Sequence, residues 1–322
     1  MKKIFWGIIG CGDVTEIKSG PAFNLVSDSE LVAVMRRDAI KAEDYAKRHG
    51  VQRWYTDASE LINDSEVHAI YIATPPAYHE AYALQAFKAG KPVYVEKPMT
   101  LDSAEAERMN KAATKYCCKL SVAHYRRAQQ KFLHIRRLIN DGSIGVIHSA
   151  KIQFKQANQS GTENTWRTNP TISGGGLFHD LAPHQLDLML FFFGLPLKTK
   201  GESLNKANLY DADDYVSADI LFANNISFQG TWDFNARLED EADICEIQGS
   251  TGTIRFSVFS NPYELIIDGI SKKLEFDFLP HVQQPMIEQV VKYFLGEAVN
   301  PCSGDEGVEV MKMMDKITGK ID

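Results

Sequence analysis

"KKIFWGIIGCGDVT", residues 2–15, is the stretch on which the fold turns. Ile4 to Ile9 form a short apolar run that ends in glycine, which reads as a buried strand. Gly10 to Thr15 then give the first two glycines of G-x-G-x-x-G, with Thr15 in the third place. Gly10 permits a tight turn and Gly12 lets a backbone approach a pyrophosphate closely. The positive end of a following helix favours the anion. An ordinary strand-to-helix turn has the same letters, so the surrounding pattern has to decide.

That pattern alternates. "ELVAVMRR" (30–37) reads as a second strand, and "DAIKAEDYAKRHG" (38–50) as a helix capped by Asp38 and closed by Gly50. Between the first two strands, residues 14–28 read as a helix interrupted at Gly20-Pro21. "VHAIYIATPP" (67–76), "KPVYVEKP" (91–98) and "CKLSVAHY" (118–125) are further strands, separated by helical segments at 77–90 and 101–117. Strands and helices in this order predict a parallel sheet with helices on both faces, and ligands bind such a sheet at the carboxyl ends of its strands. In that setting the backbone from Gly10 through Cys11, Gly12, Asp13 and Val14 reads as a dinucleotide cradle, with Thr15 implying slightly looser helix–strand packing. After the second strand, where an NAD site carries an acid for the ribose hydroxyl, stand Arg36 and Arg37. An arginine pairs with a 2′-phosphate, so NADP is the expected cofactor and NAD the alternative. Solvated arginines with Asp38 in the acid's role would favour NAD instead.

The chain has 322 residues, enough for two domains, and its 44% hydrophobic and 24% charged residues are ordinary for a globular enzyme. A formal net charge of -7 with scattered Lys and Arg speaks against nucleic acid as a partner. No secretory cleavage pattern follows Met1, and no apolar run approaches the ~18 residues of a membrane span. The five cysteines are odd in number and lack C-x-x-C, which fits a reducing compartment, hence the cytoplasm.

From about residue 124 the alternation ends. A helix at 129–142 and a long strand at 146–157 are followed by "GGGLFHDLAPHQLDLMLFFFG" (174–194). Extended segments start at 214, 226, 243, 252, 263 and 272, and two helices follow. Short turns between successive strands imply an antiparallel or mixed sheet. The expected organisation is a Rossmann α/β domain over residues 1–123 and an α+β domain over 124–322, the latter with a large, mostly antiparallel, open-faced sheet. An uncovered sheet face needs a partner, and a second copy is the simplest one. Trp6, Trp54 and Trp232 read as packing residues.

Several short stretches agree on one family. Besides Gly10-Cys11-Gly12 they are Thr74-Pro75-Pro76 with His79, Glu96-Lys97-Pro98, "YRR" at 125–127, "WR" at 166–167, Gly174-Gly175-Gly176, Asp180 with His184, "GSTGTIRF" at 249–256, and the ending "PCSGDEGVEVMKMMDKI". Over its whole length the chain resembles the Gfo/Idh/MocA oxidoreductases, of glucose-fructose oxidoreductase and inositol dehydrogenase type. The resemblance implies an NAD(P)-dependent dehydrogenase or reductase acting on a sugar, a polyol or a related compound. It implies Lys97 as the catalytic lysine and Asp180 with His184 as the other catalytic pair. Thr74, Pro75, His79 and Glu96 are implied to lie near the cofactor, and Tyr125, Trp166 and Arg167 near the substrate. The expected assembly, through the open face of the C-terminal sheet, is a homodimer or homotetramer.

The residue types suit these roles. An ammonium at a strand's carboxyl edge stabilises negative charge on a substrate oxygen. Histidine has a pKa near working pH and moves the hydroxyl proton. Positions i and i+4 share a helix face, so Asp180 and His184 can serve one site. Pro183 is best tolerated in a helix's first turn, which places the helix start near Asp180. A first-turn surface histidine is the other reading of His79. A metal site from His179, Asp180, His184 and Asp187 is a rival, but residues 179 and 180 point in different directions, so no metal is expected. A cofactor-binding sensor without turnover is the alternative function, and the presence of all three catalytic residues speaks against it.

Overall fold

The structure is a computed structural model, and it describes residues 2–158 and 165–321. In chain order its first elements are β1 (Ile4–Ile9), α1 (Asp13–Ile17), α2 (Ala22–Leu25), β2 (Ser29–Met35), α3 (Ala39–His49), β3 (Arg53–Tyr55), α4 (Ala58–Asn63), β4 (Ala69–Ile72), α5 (His79–Lys88), β5 (Val93–Val95), α6 (Ser103–Lys115) and β6 (Leu120–Val122). There follow α7 (Gln130–Asn140), β7 (Ile147–Ala157), α8 (Pro170–Ser173), α9 (Gly176–Phe193), β8 (Pro196–Leu204), β9 (Tyr215–Phe222), β10 (Ser227–Ala236), β11 (Ala242–Gly249), β12 (Gly252–Phe256), β13 (Tyr263–Ile267), β14 (Ile270–Leu274), α10 (Gln284–Leu295) and α11 (Gly304–Ile317). The chain divides into two compact units, Met1–Gln129 with Leu279–Val308, and Gln130–Phe278 with Glu309–Asp322.

The first unit is a six-stranded parallel sheet in the order β3-β2-β1-β4-β5-β6. Strand order reverses between β1 and β4, so the ligand crevice of this unit lies beyond Ile9 and Ile72. The expected parallel Rossmann sheet is therefore present. Its strands read as continuous apolar runs because they are covered on both faces, as "AIYI" of β4, wholly buried, illustrates. Part of the cover comes from α10, whose Phe294 ring stacks at 5.5 Å on Trp6, which in turn meets Phe23 at 4.9 Å. Gly20-Pro21 does break the helical segment after β1, into α1 and α2. The short edge strand β3 carries Trp54, which is 39% exposed. Trp54 is thus not the packing residue expected, because an edge strand lacks a neighbour on one side.

The second unit is an eight-stranded sheet in the order β14-β13-β12-β11-β7-β10-β9-β8, antiparallel except for β7 beside β10. Period-two alternation puts Ile152, Phe154, Ala218, Phe228, Trp232 and Cys245 on the buried face. The other face carries Lys151, Asp219, Gln229, Gln248 and Arg255, with Leu221 and Ile244 among them. Helix α9 packs against the buried face. The Trp232 indole N–H donates to Gln185 Oε1 at 2.6 Å, and the Phe178 ring meets the same indole edge-on at 5.1 Å. Deleting such a buried tryptophan costs about 3–5 kcal/mol, so this contact fixes α9 firmly on the sheet.

One strand escapes the sequence reading and one expectation needs correction. Strand β8, "PLKTKGESL", gives little strand signal, because an edge strand is marked by lysine, glycine and proline rather than by apolar alternation. Helix α9 begins at Gly176, not near Asp180, so Pro183 lies inside it. Proline has no N–H to offer the His179 carbonyl, and the helix tolerates that loss two turns from its start.

Candidate active site

The loop after β1 turns through Gly10 at φ +95°, where a Cβ would lie 2.8 Å from Thr74 Cγ2 and 2.9 Å from the backbone of Ala73. Only glycine allows the loops after β1 and β4 to approach so closely. Gly12 differs. A Cβ there would meet only Gly10 O, at 4.0 Å, so the space beside it is open. The Thr74 hydroxyl is buried with no protein partner. Open space beside Gly12 and an unsatisfied hydroxyl on the facing loop fit the backbone approach that a dinucleotide pyrophosphate requires. The Cys11 thiol is buried, which pushes its pKa up to about 11 and keeps it neutral. Thr15 is fully buried rather than loosely packed: its hydroxyl donates to Gly12 O at 2.8 Å, and its carbonyl accepts from the Tyr45 hydroxyl at 2.8 Å.

At the end of β2, Arg36 reaches back and donates to Cys11 O at 3.1 Å. Arg37 lies over the Tyr78 ring at 5.3 Å. The Asp38 carboxylate caps α3 by accepting from the Lys41 N–H at 3.2 Å, and the Lys41 ammonium stands 3.6 Å away. The cap bond lowers the Asp38 pKa.

His79 opens α5 as expected but is completely buried, so the surface reading is wrong. Its Nε2 is 2.7 Å from Thr74 O, and its Nδ1 is 3.1 Å from Pro98 O and 3.2 Å from Met99 O. Burial pushes its pKa down to about 4. The ring joins the loop after β4 to the turn after β5. Glu96 likewise faces protein groups: its Oε1 accepts from the Tyr71 hydroxyl and from Gln283 Nε2, both at 2.6 Å, and its Oε2 accepts from the Lys97 N–H at 3.2 Å. Lys97 thus stands just past β5, over a buried carboxylate. Tyr125 and Arg126 form a helical turn after β6, with Tyr125 buried and the Arg126 guanidinium 5.5 Å from its ring.

In the second unit, α9 presents Asp180 and His184 one turn apart. Arg167 Nε donates to Asp180 Oδ2 at 3.1 Å, and its guanidinium lies over the Trp166 ring at 4.6 Å. The "WR" pair and Asp180 therefore belong to one cluster. His184 is buried and meets the Phe259 ring edge-on at 5.8 Å. The loop carrying Phe259 is pinned from two sides. Asp243 accepts from the Phe259 N–H at 2.7 Å and the Val258 N–H at 3.1 Å, and buried Lys131 donates to Ser257 O at 2.7 Å.

The glycines at the start of α9 have positive φ, +92° at Gly174, +158° at Gly175 and +78° at Gly176. A Cβ on Gly175 would sit 2.3 Å from the His179 ring, and one on Gly176 would sit 2.5 Å from Ala212 Cβ. Lys320 Nζ donates to Gly174 O at 2.6 Å and lies 3.3 Å from His179 Nε2. His179 is thus turned to the glycine loop and Lys320. Among the described residues, no group of three or more His, Cys, Asp or Glu is placed to hold a metal ion. Burial, and then the Lys320 charge, push the His179 pKa down to about 3. Phe259, Asp243, Lys131, Lys320 and Gln283 escape sequence reading, since no local spacing marks them.

Both parts of the chain match known families. Residues 4–124 match the oxidoreductase family with an NAD-binding Rossmann fold, GFO/IDH/MocA, and residues 132–255 match the GFO/IDH/MocA C-terminal domain. The chain is 46% identical over 321 residues to an oxidoreductase, P35, of Formosa agariphila, covering 98% of this chain and 99% of that one. It is 28% identical over 211 residues to a scyllo-inositol 2-dehydrogenase (NADP(+)) of Bacillus subtilis, covering 65% and 57%. Its fold superposes with a TM-score of 0.87, at 21% identity and coverage of 98% and 96%, on an aldose-aldose oxidoreductase of Caulobacter crescentus complexed with glycerol. No helix among the described residues is long and apolar enough to cross a membrane. The chain belongs to the Gfo/Idh/MocA family and is an oxidoreductase with a nicotinamide-dinucleotide-binding Rossmann domain.

Proposed function

We propose that the protein transfers hydride between a nicotinamide dinucleotide and a secondary alcohol or carbonyl of a sugar, polyol or related compound. The observation that carries this reading is the cluster on α9, where Asp180 and His184 share a face and Arg167 is paired to Asp180. The B. subtilis relative's name specifies an inositol and NADP, which supports both the substrate class and the cofactor.

A bound nicotinamide supplies the hydride acceptor or donor. The protein's part is the proton and the charge. His184 takes the hydroxyl proton when the alcohol is oxidised and returns it when the carbonyl is reduced. The Lys97 ammonium stabilises negative charge developing on a substrate oxygen. Asp180, anchored by Arg167, holds the substrate or the imidazole in place. Tyr125, Trp166 and Arg167 complete the substrate contacts. In this reading residues 1–123 hold the cofactor through Gly10–Val14, Arg36, Arg37 and the Thr74-Pro75 loop, with His79 and Glu96 fixing the backbone around it. Residues 124–322 bind the substrate.

NADP is the proposed cofactor. Asp38 is engaged as a helix cap and by Lys41, and so is not poised as a ribose acid, while Arg36 and Arg37 offer cations to a 2′-phosphate. A homodimer or homotetramer formed through the outer sheet face is part of the same proposal, supported by Leu221 and Ile244 exposed among its polar residues. So is a cytoplasmic location, supported by the five free thiols. The test is a screen of sugars and polyols with NADPH and NADH and their oxidised forms, read by nicotinamide absorbance in the near-ultraviolet. Turnover of a polyol or sugar with NADP(H) preferred is expected. Tight cofactor binding with no turnover of any compound would sink the reading.

A further inference from the structure

Beneath Lys97 lies a buried polar network that reaches into a distant part of the chain. Glu96 is 5% exposed, while Tyr71, Tyr94 and Gln283 are wholly buried. One Glu96 oxygen receives the Tyr71 hydroxyl and the Gln283 amide, each at 2.6 Å, and the other receives the Lys97 backbone N–H at 3.2 Å. The Tyr94 hydroxyl donates to Gln283 Oε1 at 3.3 Å, so both ends of the amide are bonded and its orientation is set. Gln283 is itself fixed. Its N–H donates to Lys18 O at 3.1 Å, and neighbouring His281 holds Ile17 O at 2.6 Å. A buried carboxylate needs such donors, and each one it loses lets it turn.

From this geometry we infer that Gln283 is a positioning residue for Lys97. It acts through Glu96, which anchors the peptide from which Lys97 projects. The inference rests on the reading of Lys97 as catalytic, but its test does not require turnover. Of the three donors to Glu96, Gln283 is the one that can be replaced without altering the strands or the Lys97 backbone, since Tyr71 lies in β4 and Lys97 follows β5.

The test is competitive labelling of lysines by acetic anhydride across pH, read by mass spectrometry on the intact apoprotein. Wild type is compared with Gln283→Leu and Gln283→Glu, and exposed Lys111 is the internal control. In Q283L, Lys97 labelling should change at least about threefold at every pH while Lys111 does not, because Glu96 has lost a charge-directed hydrogen bond. In Q283E the introduced carboxyl shares one proton with Glu96 and donates as the amide did. Its Lys97 rate should match wild type near neutral pH and depart only at alkaline pH, where the shared proton is lost. A merely structural role would shift both variants alike at all pH values. Wild-type labelling of Lys97 in a folded Q283L would overturn the inference. If Q283L does not fold, Q283E decides: a departure confined to alkaline pH supports the inference, and a wild-type profile or a uniform departure overturns it. Turnover by Lys97→Ala is a separate measurement. Full activity there would remove the catalytic reading of Lys97 while leaving the positioning result standing.

Discussion

Acid should destabilise this protein through His179, one residue from Asp180. The ring is buried beside the Lys320 ammonium, and its pKa falls from the ordinary 6.5 to about 3. Between those values the unfolded chain carries a proton that the folded state excludes. Unfolding free energy therefore rises with pH across this window. The contribution is fully present above 6.5 and is lost as pH falls toward 3. One excluded proton gives a slope of about 1.4 kcal/mol per pH unit, so going from about pH 7.5 to about pH 5 removes roughly 2 kcal/mol. His79, held at about 4, adds a second loss of the same sign. His179→Gln keeps an acceptor for Lys320 but does not titrate. Urea unfolding of both proteins at the two pH values checks the claim. The variant should lose roughly 2 kcal/mol less than wild type on acidification. Equal losses in the two proteins would refute the assignment of an excluded proton to His179.

The catalytic reading predicts that Lys97→Ala and His184→Ala each lower kcat by about 10²–10⁴-fold, measured in steady state with a substrate from the polyol screen; near-normal turnover in both would refute the mechanism. Replacing Arg36 and Arg37 together with glutamate should raise KM for NADPH by roughly 10–100-fold and leave KM for NADH within about threefold, the loss expected for charge-assisted bonds to a phosphate. Light scattering should find an oligomer at micromolar concentration, and Ile244→Lys on the outer face of β11 should shift it toward monomer; a monomeric wild type would remove the proposed sheet interface.

Local spacing made part of the candidate site legible. Gly10 and Gly12 follow a strand and precede a helix, Lys97 follows another strand, and Asp180 and His184 lie one helical turn apart. Each of these is a relation between near neighbours, and the structure keeps each one. Asp38 as a cap and Gly50 at φ +66° were legible for the same reason. What escaped was set by tertiary context. His79 has the position of a surface residue, yet it is buried by carbonyls from a loop some twenty residues on. Pro183 looked like a helix start because the chain's own bonds favour that, but packing of α9 on Trp232 and its neighbours overrides the lost bond. β3 and β8 are edge strands, and edges lack the alternation that reveals strands.

Residues that carry the proposed chemistry and residues that hold it in place follow different rules. A proton carrier or an anion-stabilising ammonium must be a particular residue type at a particular strand or helix end, so motif reading finds it. A holding residue need only bring a donor to the right carbonyl or carboxylate, and many types at many positions can do so. Lys320 reaches Gly174 O across 146 residues, and Gln283 reaches Glu96 across 187. Both lie after the last strand, Gln283 at the head of one amphipathic helix and Lys320 just past the end of the other. The segment 279–308 returns to the parallel sheet and covers Trp6 while it delivers Gln283. A transplant of residues 1–123 alone would keep every dinucleotide motif. It would also uncover Trp6 and leave Glu96 without one of its two side-chain donors. The smallest piece that retains both the cofactor loop and the setting of Lys97 therefore has to include the chain's return at 279–308.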